Sequence, residues 1–303
     1  MYRDYTYDAV LTSSQKAAWQ LDDVLPEGAD LDFTRPFLPE ALARTGGIAG
    51  LDERERLVLN QIRGHEYLAM FGIVEEFILP FVVDHARPLL NGDDHRVRAL
   101  LQFAGEEAKH IHLFRRFRDT FRRGFGADCS VIGPAEEIGA AILAHDPLAV
   151  ALAVLQIEWM TQAHYLESVR DDATLEPLFK NMLKHHWMEE AQHAKLDAMM
   201  VEALADGRQM ADVEGAFEDY LEIVAFLDGG LRAQADLNIV ALQRRIGRIL
   251  PEAERTALIE QQHEASRWTF LVSGMAHPQF RASLARLSPS LIERLDAVAP
   301  TFA

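Results

Sequence analysis

Apolar residues recur at spacings of three and four along nearly the whole chain, and alternating strand-like runs joined by Asn-Gly or Asp-Gly turns are missing. This pattern predicts an all-α fold. The breakers set the boundaries. Asp93 and Asp94 open a helix after Asn-Gly, Gly124 and Gly126 close it, Gly229-Gly230 interrupts another, and Ser288-Pro289 starts the last. Long helices are expected at roughly 53–86, 92–123, 147–171, 174–206, 209–247, 251–275 and 289–297. The stretch from Gly124 to Pro147 is long enough to hold a short crossover helix around Ala135 to Leu143, and the first fifty or so residues, broken by Pro26, Pro36 and Pro39, read as an irregular arm. No linker or low-complexity tract divides the chain, so one domain is expected over 1–303: an arm at 1–52, a bundle core at about 53–206 and additional C-terminal helices at about 209–297.

Composition narrows the function. With 30 Lys and Arg against 47 Asp and Glu, the formal charge of −17 argues against nucleic acid and against an acidic membrane surface, both of which need clustered basic groups. The N-terminus MYRDYTYDAV is acidic and lacks an apolar core, so it reads as neither signal nor transit peptide. The apolar run Leu148 to Leu155 is far short of the ~20 residues a bilayer requires. A soluble, cytoplasmic protein is expected, and the lone Cys129 reads as a structural thiol.

The candidate chemistry is concentrated in HHWMEEAQH, His185 to His193. On a helix His186, Glu190 and His193 stand at i, i+4 and i+7, one face over two turns. A smaller copy lies upstream, where Glu107 and His110 repeat the spacing of Glu190 and His193; the copies read EEAKH and EEAQH. A carboxylate and an imidazole one turn apart can hold one ion, and the carboxylate can also bridge to a second. A four-helix di-metal carboxylate site needs two such helices and two more that each give one glutamate. Glu158 is the only acid in the apolar stretch ALAVLQIEWMTQAHYL and precedes Glu190 by 32 positions, which suits a helical hairpin. On the first helix Glu75 and Glu76 compete. Taking Arg56, Asn60 and Arg63 as the polar side selects Glu76 opposite them, whereas an identical 32-residue interval to Glu107 selects Glu75; Glu76 is the reading adopted, with Glu75 as its alternative. Glu106 and Glu189, beside the ligand glutamates, are candidates to accept a hydrogen bond from the far nitrogen of a ligand histidine on another helix. His65, His112 and His164 read as packing or surface residues.

The order Glu, Glu-x-x-His, Glu, Glu-x-x-His, divided by a long crossover, resembles the ferritin-like di-iron carboxylate superfamily, whose core is a four-helix bundle. His186, one turn before Glu190, resembles the additional histidine of the p-aminobenzoate N-oxygenase (AurF-like) family, where the fourth bundle helix carries His-x-x-x-Glu-x-x-His. The resemblance implies the ligand set Glu76, Glu107, His110, Glu158, His186, Glu190 and His193. It also implies two Fe ions, O2 as co-substrate activated as a peroxo species, an aromatic amine as substrate and an external electron donor. A homodimer stands as an open expectation. Four glutamates would balance two Fe(II), and imidazoles favour iron over magnesium or calcium. The alternatives are a desaturase or other di-iron oxidase of the superfamily, in which His186 has no place, and an iron-storage protein, which the hundred-odd residues beyond His193 disfavour. A radical-generating role is disfavoured because Phe114 stands where the redox tyrosine would be.

Overall fold

Four long helices, each opened by a side-chain cap, form a bundle around the region where the candidate ligands fall. The structure, a computed structural model, describes residues 5–302, all in helices and connections with no strand. The arm carries α1 (Tyr7–Ala17), α2 (Leu21–Val24) and α3 (Glu40–Ala43). The bundle comprises α4 (Glu53–Ala86) and α5 (Asp94–Phe125), a crossover with α6 (Ala135–Leu143), then α7 (Pro147–His164) and α8 (Pro177–Ala205). Beyond it run α9 (Met210–Ile246), α10 (Glu252–Arg267), α11 (Ser273–Ala276), α12 (Pro278–Leu287) and α13 (Pro289–Val298).

The N-termini are specified locally. Asp52 and Glu55 form a reciprocal capping box on α4, Asp93 caps α5 through His95 N, and Asp146 and Glu176 cap α7 and α8 with Pro at the first helical position. Gly126 ends α5 at φ 77°, a left-handed conformation in which a side chain would be strained. α4 pairs with α5 and α7 with α8, and α9 lies against both α4 and α7. α7 is the central helix: every residue from Leu148 to Glu158 is buried, and apart from Gln156 and Glu158 the stretch is apolar on every face. No helix among the described residues is long and apolar enough to cross a membrane.

Three details depart from the sequence reading. The arm is not irregular: α1 packs against both α5 and α8, which brings Ser14 and Trp19 to the bundle's polar interior. Gly229-Gly230 does not interrupt α9, which runs straight through them; Gly230 admits the crossover, since a Cβ there would lie 3.2 Å from Ile132 Cδ1. The helices expected at 147–171 and 251–275 each contain a π-turn, at Tyr165–Val169 and Trp268–Val272, closed by Arg170 N–H donating to Tyr165 O and Ser273 N–H to Trp268 O. Such widened turns recur at functional sites because they re-aim a side chain without ending the helix; here the second one carries Phe270. The thiol of Cys129 is half-buried, and burial pushes it up to about 12, which leaves it unreactive as a nucleophile.

Candidate metal centre

α4, α5, α7 and α8 each turn one stripe toward the bundle axis, and the stripes meet in a cluster of buried acids and imidazoles. α5 contributes Glu107 and His110, α7 contributes Glu158, and α8 contributes His186, Glu190 and His193, all buried. From α4 comes Glu75, not Glu76. Glu75 is 2% exposed and its Oε1 lies 3.0 Å from His186 Nε2. The Glu76 side chain is 34% exposed and pairs with Arg115 at 2.7 Å on the outer surface of α4 and α5. The choice of Glu76 as ligand is thereby corrected. Its basis was the polar side of α4, yet Asn60 and Arg63 are buried: Asn60 holds the arm through the backbone of Phe37 and Leu38, and Arg63 pairs with buried Glu66.

Glu190 stands at the centre, with one oxygen facing each half. Its Oε1 lies 2.6 Å from His186 Nε2 and 3.1 Å from His110 Nδ1, while His110 Nδ1 is 3.6 Å from Glu75 Oε1. Its Oε2 lies 2.8 Å from His193 Nδ1, which is also 2.8 Å from Glu107 Oε1. Two four-residue groups result: Glu75, His110, His186 and Glu190, and Glu107, His110, Glu190 and His193, with the potential ligand atoms of each within 4.8 Å of one another. Donors bound at about 2.1 Å around one ion sit about 3 Å apart along a coordination edge, the range observed here. Glu158 lies outside both groups, but its carboxyl group hydrogen-bonds that of Glu190 and closes the cluster from α7.

The outer nitrogens of two of these histidines are held from behind. His110 Nε2 is 2.8 Å from Glu189 Oε2 and His193 Nε2 is 2.9 Å from Glu106 Oε2, each bond crossing between α5 and α8. With those Nε2 atoms bonded outward, both Nδ1 atoms point inward. The acids are in turn anchored: Ser14 Oγ and Gln102 Nε2 donate to Glu106, and Lys109 Nζ donates to Glu189 while lying 3.8 Å over the Trp19 ring. Trp19 also stacks on His110 at 5.8 Å. His186 is supported differently, by the edges of Phe71 and Phe114, both 5.1 Å away.

Burial sets the protonation of the cluster. Burial first, then the charges of nearby glutamates, pushes Glu75, Glu107 and Glu158 above the usual carboxylate range. Burial acts the same way on Glu190, but His193 and His186 outweigh it and hold its carboxylate low. Burial opposes a charged His110, yet the hydrogen bond to Glu189 and the nearby charge of Glu190 raise it to about 9; His193 is also raised, chiefly by Glu190, whereas burial wins at His186 and lowers it.

Both oxygens of Glu107, Oε2 of Glu75 and Nδ1 of His110 are buried without a hydrogen-bond partner. Nδ1 of His193 has at most one proton, and its bond goes to Glu190, so its closeness to Glu107 satisfies neither Glu107 oxygen. Several buried acceptors converging on common points would cost several kcal/mol unless a cation joined them. The residues therefore fit a di-metal centre. One buried acid near the cluster was not singled out from sequence. Asp197 is fully buried one turn past His193, both oxygens lack partners, and burial raises it well above the usual range. Its i+4 spacing from His193 on the same stripe was the available signal.

Residues 3–225 match the family described as P-aminobenzoate N-oxygenase AurF. The chain belongs to the AurF family. Among solved structures, it is similar to an R2-like ligand-binding oxidase variant with an aerobically reconstituted Mn/Fe cofactor, at 16% identity and TM-score 0.47, covering 87% of this chain and 93% of that one. A variant with an anaerobically reconstituted Mn/Fe cofactor gives 15% identity, TM-score 0.47 and the same coverage. No curated protein sequence matches the chain.

The adjacent acids of α4 give this AurF-family protein a direct internal control. Glu75→Ala is expected to weaken one metal position by roughly 100-fold or more, beyond the effect of losing an outer-shell partner. Glu76→Ala removes one exposed ion pair worth about 0–1 kcal/mol and should leave metal content unchanged. Metal titration of the two variants measures the difference, and equal affinities would return the ligand role to neither acid.

Proposed function

We propose that this AurF-family protein is a di-iron, O2-dependent N-oxygenase that converts an aromatic amine into its hydroxylamine, nitroso or nitro product, with reducing equivalents from an external electron donor. The observation that carries the reading is His186. Its Nε2 sits within 3.0 Å of oxygens from both Glu75 and Glu190, so the first donor group has two imidazoles where a paired Glu-x-x-His site needs one. When bound, the irons supply the redox chemistry toward O2.

The chain's own residues do the rest. Glu190, with an oxygen toward each half, fixes the spacing of the two positions. Glu75, Glu107, Glu158 and Glu190, once deprotonated, balance four positive charges in a site that water does not reach. Glu106 and Glu189 hold two imidazoles in the tautomer that offers Nδ1. Metal loading displaces protons from the raised glutamates and from His110, so affinity should fall as pH falls.

The test is metal loading followed by turnover. Elemental analysis should give two Fe per chain, and the reduced protein with O2 and a panel of anilines should yield oxidised nitrogen. Turnover of acyl carriers with no oxidised amine would move the protein to the desaturases, and mineral deposition without organic turnover to storage.

A further inference from the structure

We infer that the substrate is an uncharged, apolar arylamine and that ring carboxylates are excluded; this rests on the N-oxygenase reading above. A cavity of about 260 Å³ lies between α4, the crossover with α6, α7, α9 and the second π-turn. Its inner end is bounded by Phe71, Val74 and Ile157. Phe71 is the ring whose edge meets His186, Val74 precedes Glu75 and Ile157 precedes Glu158, so this end abuts the metal centre. Phe226 and Ala233, both exposed, mark the outer end.

Among the described residues lining it, no side chain carries a charge, hydroxyl or amide. A carboxylate drawn into such a wall loses its hydration and gains no partner. The chain's net charge of −17 acts in the same direction. A neutral aniline meets neither penalty. Its nitrogen can face the inner end while an alkyl tail fills the outer one, and the volume exceeds the ~150 Å³ that accommodates benzene in an apolar cavity. A second cavity on another face of α4 contains Arg115 and Arg118, but Arg115 already pairs with Glu76. That cavity is the competing place for an anionic group.

The experiment titrates the full-length, iron-loaded protein, kept anaerobic, with 4-butylaniline and with 4-aminobenzoate, and then admits O2 and reductant. Butylaniline is expected to bind roughly 100-fold more tightly. Half-buried Ile138, on the cavity wall, supplies the complementary variant. Ile138→Arg adds a guanidinium and should raise aminobenzoate affinity at least roughly tenfold while weakening butylaniline. Equal or tighter binding of aminobenzoate by the parent overturns the inference, and a loss of that binding in Arg118→Gln would place its carboxylate in the second cavity. Failure of the parent to bind either amine also overturns it. Preferential butylaniline binding with no oxidised nitrogen would retain the substrate class and discard the N-oxygenase reading. Oxidation of both amines with aminobenzoate preferred would do the reverse.

Discussion

Glu190→Ala is expected to reduce bound metal from two ions per chain to fewer than one. Its two oxygens face different halves of the cluster, Oε1 toward His186 and His110 and Oε2 toward His193, so one substitution removes a donor from each four-residue group. The remaining donors cannot compensate. Glu75 and Glu107 stay on opposite sides, and Glu158, which reaches the cluster through Glu190, loses its contact. The helix should survive, because alanine has the highest helix propensity and the Glu190 charge is one of those pushing Glu75 and Glu107 toward protonation. Glu106→Gln is the comparison. It alters the acid behind His193 without touching the donor set, and should lower affinity by roughly 10–100-fold while leaving two ions at saturation. Metal analysis and circular dichroism on both variants separate loss of ligation from loss of fold. Two tightly bound ions in Glu190→Ala would remove the bridging role.

Much of the centre was written in local spacing. Glu-x-x-His occurs twice because a carboxylate and an imidazole one turn apart on α5 and on α8 face the same axis. Glu158 stood out because an apolar helix tolerates an acid only where something offsets its burial. Glu106 and Glu189 were legible for a related reason: each neighbours a ligand acid and points to the next helix rather than to the axis. What failed was assigning a solvent side to α4. A helix buried on several faces hides polar residues wherever a partner waits, so Asn60 and Arg63 marked the arm and Glu66, not water. The constant 32-residue interval, which reflects hairpin geometry, was the better guide and gives Glu75. The roles of Ser14 and Trp19 were not legible at all, because contacts across ninety or more residues leave no periodic trace. The same holds for the π-turn that carries Phe270, since i+5 hydrogen bonding has no local composition signal.

His186→Ala should produce the second large effect, and one that separates chemistry from fold. Its imidazole is the only ring in the cluster that approaches Glu75 and Glu190 together within 3.0 Å, and unlike His110 and His193 it is backed by Phe71 and Phe114 rather than by an acid. Removing it opens one position in the first donor group but leaves Glu107, Glu190 and His193 in place. The variant should therefore stay folded, with a cavity cost of about 1–3 kcal/mol, and still hold metal in the second group. Amine oxidation should fall by roughly 100-fold or more. Cobalt substitution gives a readout independent of turnover, because the visible bands of Co(II) report coordination number and should change in this variant. His185→Ala is the control. Its side chain lies about 100° around the helix, bonds the backbone of Asn181 and meets the edge of Trp19, so the cobalt spectrum and turnover should match the parent. Unchanged cobalt bands and unchanged amine oxidation in His186→Ala would strip the third histidine of its ligand role, and the N-oxygenase reading would then rest on family membership alone.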